Sequence, residues 1–174
     1  MRWSQLKLRV EQKFATSLRG RVELFQTVYR RASHDSGEVW IAIDGKRSFS
    51  WGEMSAFREE AKTYLKLRRA GLRALELNRA GRDSMQERGI LFRWNINVLL
   101  LQSLSFTIEA ALKHKSPLIR GLAVLDRRCG KRRLLMMIDN NEHPFVRVML
   151  ELRREAEGMK ALTNGSGDRG SSLH

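Results

Sequence analysis

The chain has 174 residues, enough for one ordinary domain or two very small ones, and 42% of them are hydrophobic, which excludes a wholly disordered chain. Lysine and arginine outnumber aspartate and glutamate by 33 to 19, and the formal charge of +14 favours an anionic partner such as nucleic acid or a ribonucleoprotein. The single cysteine, Cys129, has no internal disulfide partner, and the opening "MRWSQLKLRVEQKF" interleaves charges where a signal peptide needs an unbroken apolar run, so a reducing cytoplasm is expected.

Trp3, Leu6, Val10, Phe14 and Leu18 recur at spacings of three and four and predict a helix over about 4–18, stopped by Gly20. "RVELFQTVYR", 21–30, alternates and is rich in β-branched and aromatic residues, as a strand requires. After the turn formers "RASHDSG", Val39, Ile41 and Ile43 alternate with Trp40 and Ala42 up to Asp44-Gly45, and Arg47, Phe49 and Trp51 alternate beyond it. Asp-Gly between alternating apolar residues signals a two-residue hairpin turn, because both central positions need positive φ. A second helix is expected from near Trp51 to about Gly81, with Met54, Phe57, Ala61, Tyr64, Leu65, Leu72 and Leu75 on one arc. Lys62, Lys66, Arg69 and Arg73, spaced 4, 3 and 4, form a basic stripe beside that arc, read either as a solvated face or as a track for phosphates.

Residues 1–81 therefore predict an α-β-β-β-α unit with a three-stranded antiparallel sheet. Residues 82–94 are expected as a polar link and 95–158 as helices. "INVLLLQSLSFTI", 96–108, is interrupted by polar residues and falls short of the roughly 20 apolar residues of a membrane span, so it predicts a buried helix and no membrane partner. "PLIRGLAVLDRR" (117–128) and "PFVRVMLELRRE" (144–155) repeat at an offset of 27 residues, with Pro117, Arg120 and Leu125 matching Pro144, Arg147 and Leu152. Proline suits the first position of a helix, where its missing N–H would have no partner. This Pro-apolar-apolar-Arg start resembles the inner helices of HEAT-type repeats and implies stacked helix pairs over 95–158. The overall class expected is α+β with a HEAT-like helical C-terminal part, followed by a disordered Gly/Ser-rich tail over 159–174.

Five blocks, "MRWSQLK", "GRVEL…YR…HD", "WIAIDGK", "LIRGLAVLDRRCGKRRL" and "EHPFVRVMLELRREAEG", together resemble a family of uncharacterised bacterial proteins. The resemblance implies a discrete cytoplasmic bacterial protein and transfers no catalytic residue.

Candidate chemistry is sparse. Asp44 and Lys46 have the skeleton of a Mg²⁺-dependent nuclease, with Glu11, Glu23 or Glu38 as a second acid, but Gly45 between them makes a turn, whereas convergence on one side needs a strand. The α-β-β-β-α order matches a double-stranded RNA binder, yet Glu53, Glu59 and Glu60 at the start of the second helix would repel a phosphate backbone. "RRCGKRR" sets Arg127, Arg128, Lys131, Arg132 and Arg133 around Cys129, either depressing its pKa or forming a phosphate-binding patch at a helix end. Asp139, Glu142 and His143, and separately His34-Asp35, read more simply as turn and loop residues than as a metal site or a catalytic dyad. The expectation is a non-enzymatic protein without a cofactor that presents Lys62, Lys66, Arg69, Arg73 and Arg127 to Arg133 to an anionic macromolecule. A protein-interaction adaptor or immunity-type protein using the helical surface is the alternative, followed by the nuclease.

Overall fold

The computed structural model describes residues 1–29, 36–137 and 142–159, with backbone only at 74 and 75. The N-terminal half runs α1 (Trp3–Glu11), β1 (Val22–Val28), β2 (Gly37–Ile43), β3 (Lys46–Gly52), α2 (Glu53–Arg69) and α3 (Ala74–Glu87). Five further helices follow: α4 (Arg93–Ser103), α5 (Ile108–Leu112), α6 (Pro117–Leu125), α7 (Lys131–Met136) and α8 (Pro144–Ala156). The class is α+β, and no described helix is long and apolar enough to cross a membrane.

The strands form one antiparallel sheet in the order β1-β2-β3. Asp44 (φ 49°) and Gly45 (φ 74°) make the tight turn expected between β2 and β3. Rows such as Leu24–Ile41–Phe49 and Gln26–Val39–Trp51 line the covered face. On the opposite face Phe25 stacks on Trp40 at 5.4 Å, while Lys7 lies over Phe25 and Arg47 over Trp40.

The first helix is shorter than its periodicity predicted. Phe14 and Leu18 are buried as expected, but the chain leaves the helix after Glu11 and runs extended beside the segment after α6. The amide of Ala15 donates to the Leu125 carbonyl (2.9 Å) and that of Arg127 to the Lys13 carbonyl (2.8 Å). A one-turn 3-10 helix, Thr16–Leu18, completes the connection. Apolar spacing marked which residues enter the core; backbone pairing with a segment more than 100 positions away decided their conformation.

The helix expected over 51–81 is two helices, and the second of them continues into the expected link as far as Glu87. Gly71, with φ 84°, terminates α2 by donating to the Arg68 carbonyl, a conformation that L side chains rarely adopt. The chain then reverses into α3, whose start is secured by the Glu76 carboxylate accepting from the Arg73 amide. Tyr64 lies against Gly81, where an added Cβ would stand 3.3 Å from its ring, so the two helices pack closely as a hairpin.

Most buried residues of 1–81 and 95–158 form one cluster: Leu6, Val10, Leu24, Val39 and Ile41 join Ile96, Leu100, Ile119, Leu125, Phe145 and Met149. Phe145 is its keystone. Its ring meets Phe49 and Trp51 edge-on, and Gly121 of α6 has no side chain because a Cβ there would come within 2.3 Å of it. The two proline-started helices of the sequence repeat, α6 and α8, therefore pack on each other, each preceded by a short helix. Their matching arginines diverge: Arg120 grips the Glu142 carboxylate, while Arg147 is exposed. The α2–α3 hairpin has a separate, smaller core of Ala56, Met85 and Phe92 with Ile90.

His34-Asp35, Asp139 and the tail from residue 160 lie outside the described residues.

Candidate functional site

The basic residues singled out in the sequence fall on two separate elements, and the structure treats them differently. Lys62, Lys66 and Arg69 project from α2 and Arg73 from the turn into α3, all exposed. Lys62 is ion-paired with Glu59 at 2.6 Å. Lys66, Arg69 and Arg73 have no ion pair among the described residues, and neither does Arg68, which the stripe omitted because it lies off the 4-3-4 spacing. The tip of the hairpin thus carries four cations within eight residues. The partial negative charge at the C-terminus of α2 makes this last turn hospitable to cations. None of the four is ion-paired among the described residues, and the acid beside them, Glu76, accepts the Arg73 amide instead, so their field extends into solvent.

Residues 127–133 look similar in sequence but are largely used internally. Arg128 makes a two-pronged contact with the buried Asp126 carboxylate (2.8 Å and 3.1 Å), Lys131 faces Glu157 (3.6 Å), and Arg133 pairs with Glu109. Arg127 and Arg132 are exposed and without an ion pair among the described residues. The patch therefore presents two free cations where the sequence suggested five.

Cys129 is fully buried, and burial pushes its thiol pKa up, with Arg153 and Arg133 opposing weakly. Of the readings open for this cysteine, burial favours packing over an activated thiolate, because desolvation of the sulfur outweighs the cations around it.

Asp44 stands in the turn itself. Its carboxylate accepts two hydrogen bonds from Arg21, each 2.9 Å, which hold its pKa below the usual carboxylate range, while Glu155 approaches Arg21 from α8. Of the acids considered beside it, Glu11 accepts the Leu24 amide at 2.7 Å and Glu38 pairs with Arg47. Among the described residues no three His, Cys, Asp or Glu side chains gather as a metal set. Glu142 is held by Arg120, and the His143 ring caps α8 by accepting from the Phe145 amide.

One feature was not anticipated from the sequence. A groove of about 470 Å³ runs between the hairpin and α4. Tyr64 and Glu60 of α2, Asn78, Arg82, Met85 and Gln86 of α3, and Trp94, Asn95, Val98 and Gln102 of α4 line it, over a floor that includes Leu91 and Leu99. Trp94 rests on Phe92 with ring planes 15° apart and is 54% exposed. The groove was hidden because its α3 wall coincides with the stretch expected to be a link. The spacing of Trp94, Val98 and Leu101, at i, i+4 and i+7, was its one sequence signal, an apolar stripe on the outer side of a helix whose other side is already buried.

The sequence profile of the SF0329 protein family matches residues 2–154, all but the end of the described chain. The chain belongs to that family. The blocks quoted above fall inside the match except for Met1 and residues 155–158, and both the basic hairpin tip and the groove lie within the family's span. No curated protein and no solved structure matches the chain.

Proposed function

We propose that this member of the SF0329 family is a non-enzymatic cytoplasmic protein that binds nucleic acid through the tip of its α2–α3 hairpin. The observation that carries this reading is the unpaired state of Lys66, Arg68, Arg69 and Arg73, set against the neutralised cations at 128, 131 and 133. A cation already bonded to a carboxylate must lose that partner before it takes a phosphate, whereas a free one only sheds water and counterions. Arg127 and Arg132 supply a second, weaker contact.

Binding of a labelled oligonucleotide, followed by fluorescence anisotropy across a salt series, tests the reading. Affinity should fall steeply with salt, and the triple change Lys66→Glu, Arg69→Glu, Arg73→Glu should weaken it by at least about tenfold and flatten the salt slope. Arg132→Glu should have a smaller effect, and Arg128→Glu should act mainly on stability. Absent or salt-independent binding overturns the proposal.

A second reading, a protein partner for HEAT-like stacked helix pairs, draws on the repeated order of short helix and proline-started helix, α5–α6 and α7–α8. A single stoichiometric partner retained after nuclease treatment would favour it.

A further inference from the structure

We infer that the groove between the hairpin and α4 is a base-binding site for single-stranded RNA, an inference that rests on the nucleic-acid reading of the hairpin tip. The tip explains attraction to any polyanion; the groove has the features that choose among them. Trp94 offers an aromatic surface backed by Phe92, and Phe92 is itself buttressed edge-on by Phe57 at 4.9 Å, so the indole sits on a supported stack. Bases of an unpaired strand can lie on such a ring, whereas paired bases inside a duplex cannot reach it.

The rest of the lining suits the same occupant. Asn78, Gln86, Asn95 and Gln102 place four side-chain amides around the groove. Each amide carries both donors and acceptors and can address base edges or a ribose hydroxyl. Asn95 spends its oxygen on the Phe92 amide (3.3 Å), which positions Trp94 next to it and leaves its NH₂ to donate. Charge is complementary where the backbone would pass. Arg82 lines the groove, is exposed and has no ion pair among the described residues, and the neighbouring Asp83 is already neutralised by Lys115. Two acids line the groove, Asp83, which Lys115 pairs, and Glu60, which opposes an anionic strand but stands on the α2 wall, opposite Trp94 on α4. A strand whose bases enter beside Trp94 would carry its phosphates along Arg82 and α3 toward the tip cations.

The open face of the sheet, which also holds an aromatic pair, is the weaker platform. Lys7 and Arg47 already cover the rings of Phe25 and Trp40, and Glu23 and Glu38 stand on the same face.

The test compares the full chain and its Trp94→Ala and Trp94→Phe variants on a single-stranded oligouridylate, the matching oligodeoxythymidylate and an RNA duplex of equal phosphate number. The wild type should prefer the single-stranded RNA to the duplex by about tenfold or more, Trp94→Ala should lose most of that preference, and Trp94→Phe, which keeps a ring, should restore it. Thermal melting of each variant separates lost binding from lost fold. Duplex bound as tightly as single strand, or affinity unchanged in a folded Trp94→Ala protein, overturns the inference while leaving the hairpin reading intact. Single-stranded DNA bound as tightly as RNA overturns the choice of RNA. Loss of all binding in the hairpin charge-reversal variant together with no effect of Trp94→Ala assigns affinity to the tip alone.

Discussion

The body of the molecule and its α2–α3 hairpin solve different problems with similar residues. The body gathers α1, the sheet and α4–α8 around one cluster of more than two dozen buried side chains, and it ties several of its surface cations to carboxylates: Arg21 to Asp44, Arg120 to Glu142, Arg128 to Asp126. The hairpin buries little beyond Ala56, Met85 and Phe92, exposes Met54, Phe57 and Leu65, and leaves its tip cations unpaired. Burial stabilises in proportion to apolar area removed from water, so the body must supply most of the folding free energy. The hairpin has surplus apolar and cationic surface, the two commodities that binding to another molecule consumes. Similar arginine-rich strings, "KLRRAGLR" and "RRCGKRR", are thus left without ion pairs among the described residues in one region and largely paired with carboxylates in the other.

That contrast can be broken at its strongest point first. Phe145→Ala should cost about 3–5 kcal/mol in chemical denaturation, because it removes the ring joining the sheet to α6 and α8. Arg153→Ala should follow at roughly 2 kcal/mol, because it removes a buried side chain and its ion pair with Glu157 at 3.2 Å, while Glu157 keeps Ser17 and Lys131. Met85→Ala should cost about 2 kcal/mol and should act locally. Amide exchange should accelerate in 53–92 while β1 and β2 stay protected; equal acceleration everywhere would show that the hairpin belongs to the body's cooperative unit.

A pH effect should be smaller. The Ser17 hydroxyl, donating at 2.9 Å, holds the Glu157 carboxyl below its ordinary range against the opposing pull of burial, helped by Arg153 and Lys131. The folded carboxyl therefore titrates below the unfolded one, so its stabilisation is complete above the ordinary carboxylate range and is lost as pH falls through the depressed value. Glu157→Gln should flatten this acid-side loss in melting temperature. Least of all, reversing charge at Lys66, Arg69 and Arg73 should leave stability within about 0.5 kcal/mol of wild type while weakening nucleic-acid binding by at least about tenfold.

Much of the architecture was legible locally. Alternation around Asp44-Gly45 placed β2, β3 and their turn, since a hairpin of this kind is specified by its own residues. Proline, apolar spacing and the 27-residue repeat placed α6 and α8, and the run over 96–108 placed α4, although that helix ends at Ser103 and its outer side, with Trp94, Val98 and Leu101, is exposed rather than buried. The candidate site was far less legible. Lys66, Arg69 and Arg73 could be read as cations, but not as free ones, and Trp94, Arg82 and Gln102 could not be associated with one another at all.

What the sequence determined by itself was therefore the class, the sheet and the positions of its strongest helices, because those follow from periodicity and turn chemistry within a dozen residues. Only the tertiary structure decided that α1 stops at Glu11 to pair its continuation with 125–127, that Arg128, Lys131 and Arg133 are neutralised, and that α3 and α4 enclose a groove. Each of those outcomes depends on partners distant in the chain, and one-dimensional patterns carry charge and hydropathy but not which opposite charge or facing helix will be near.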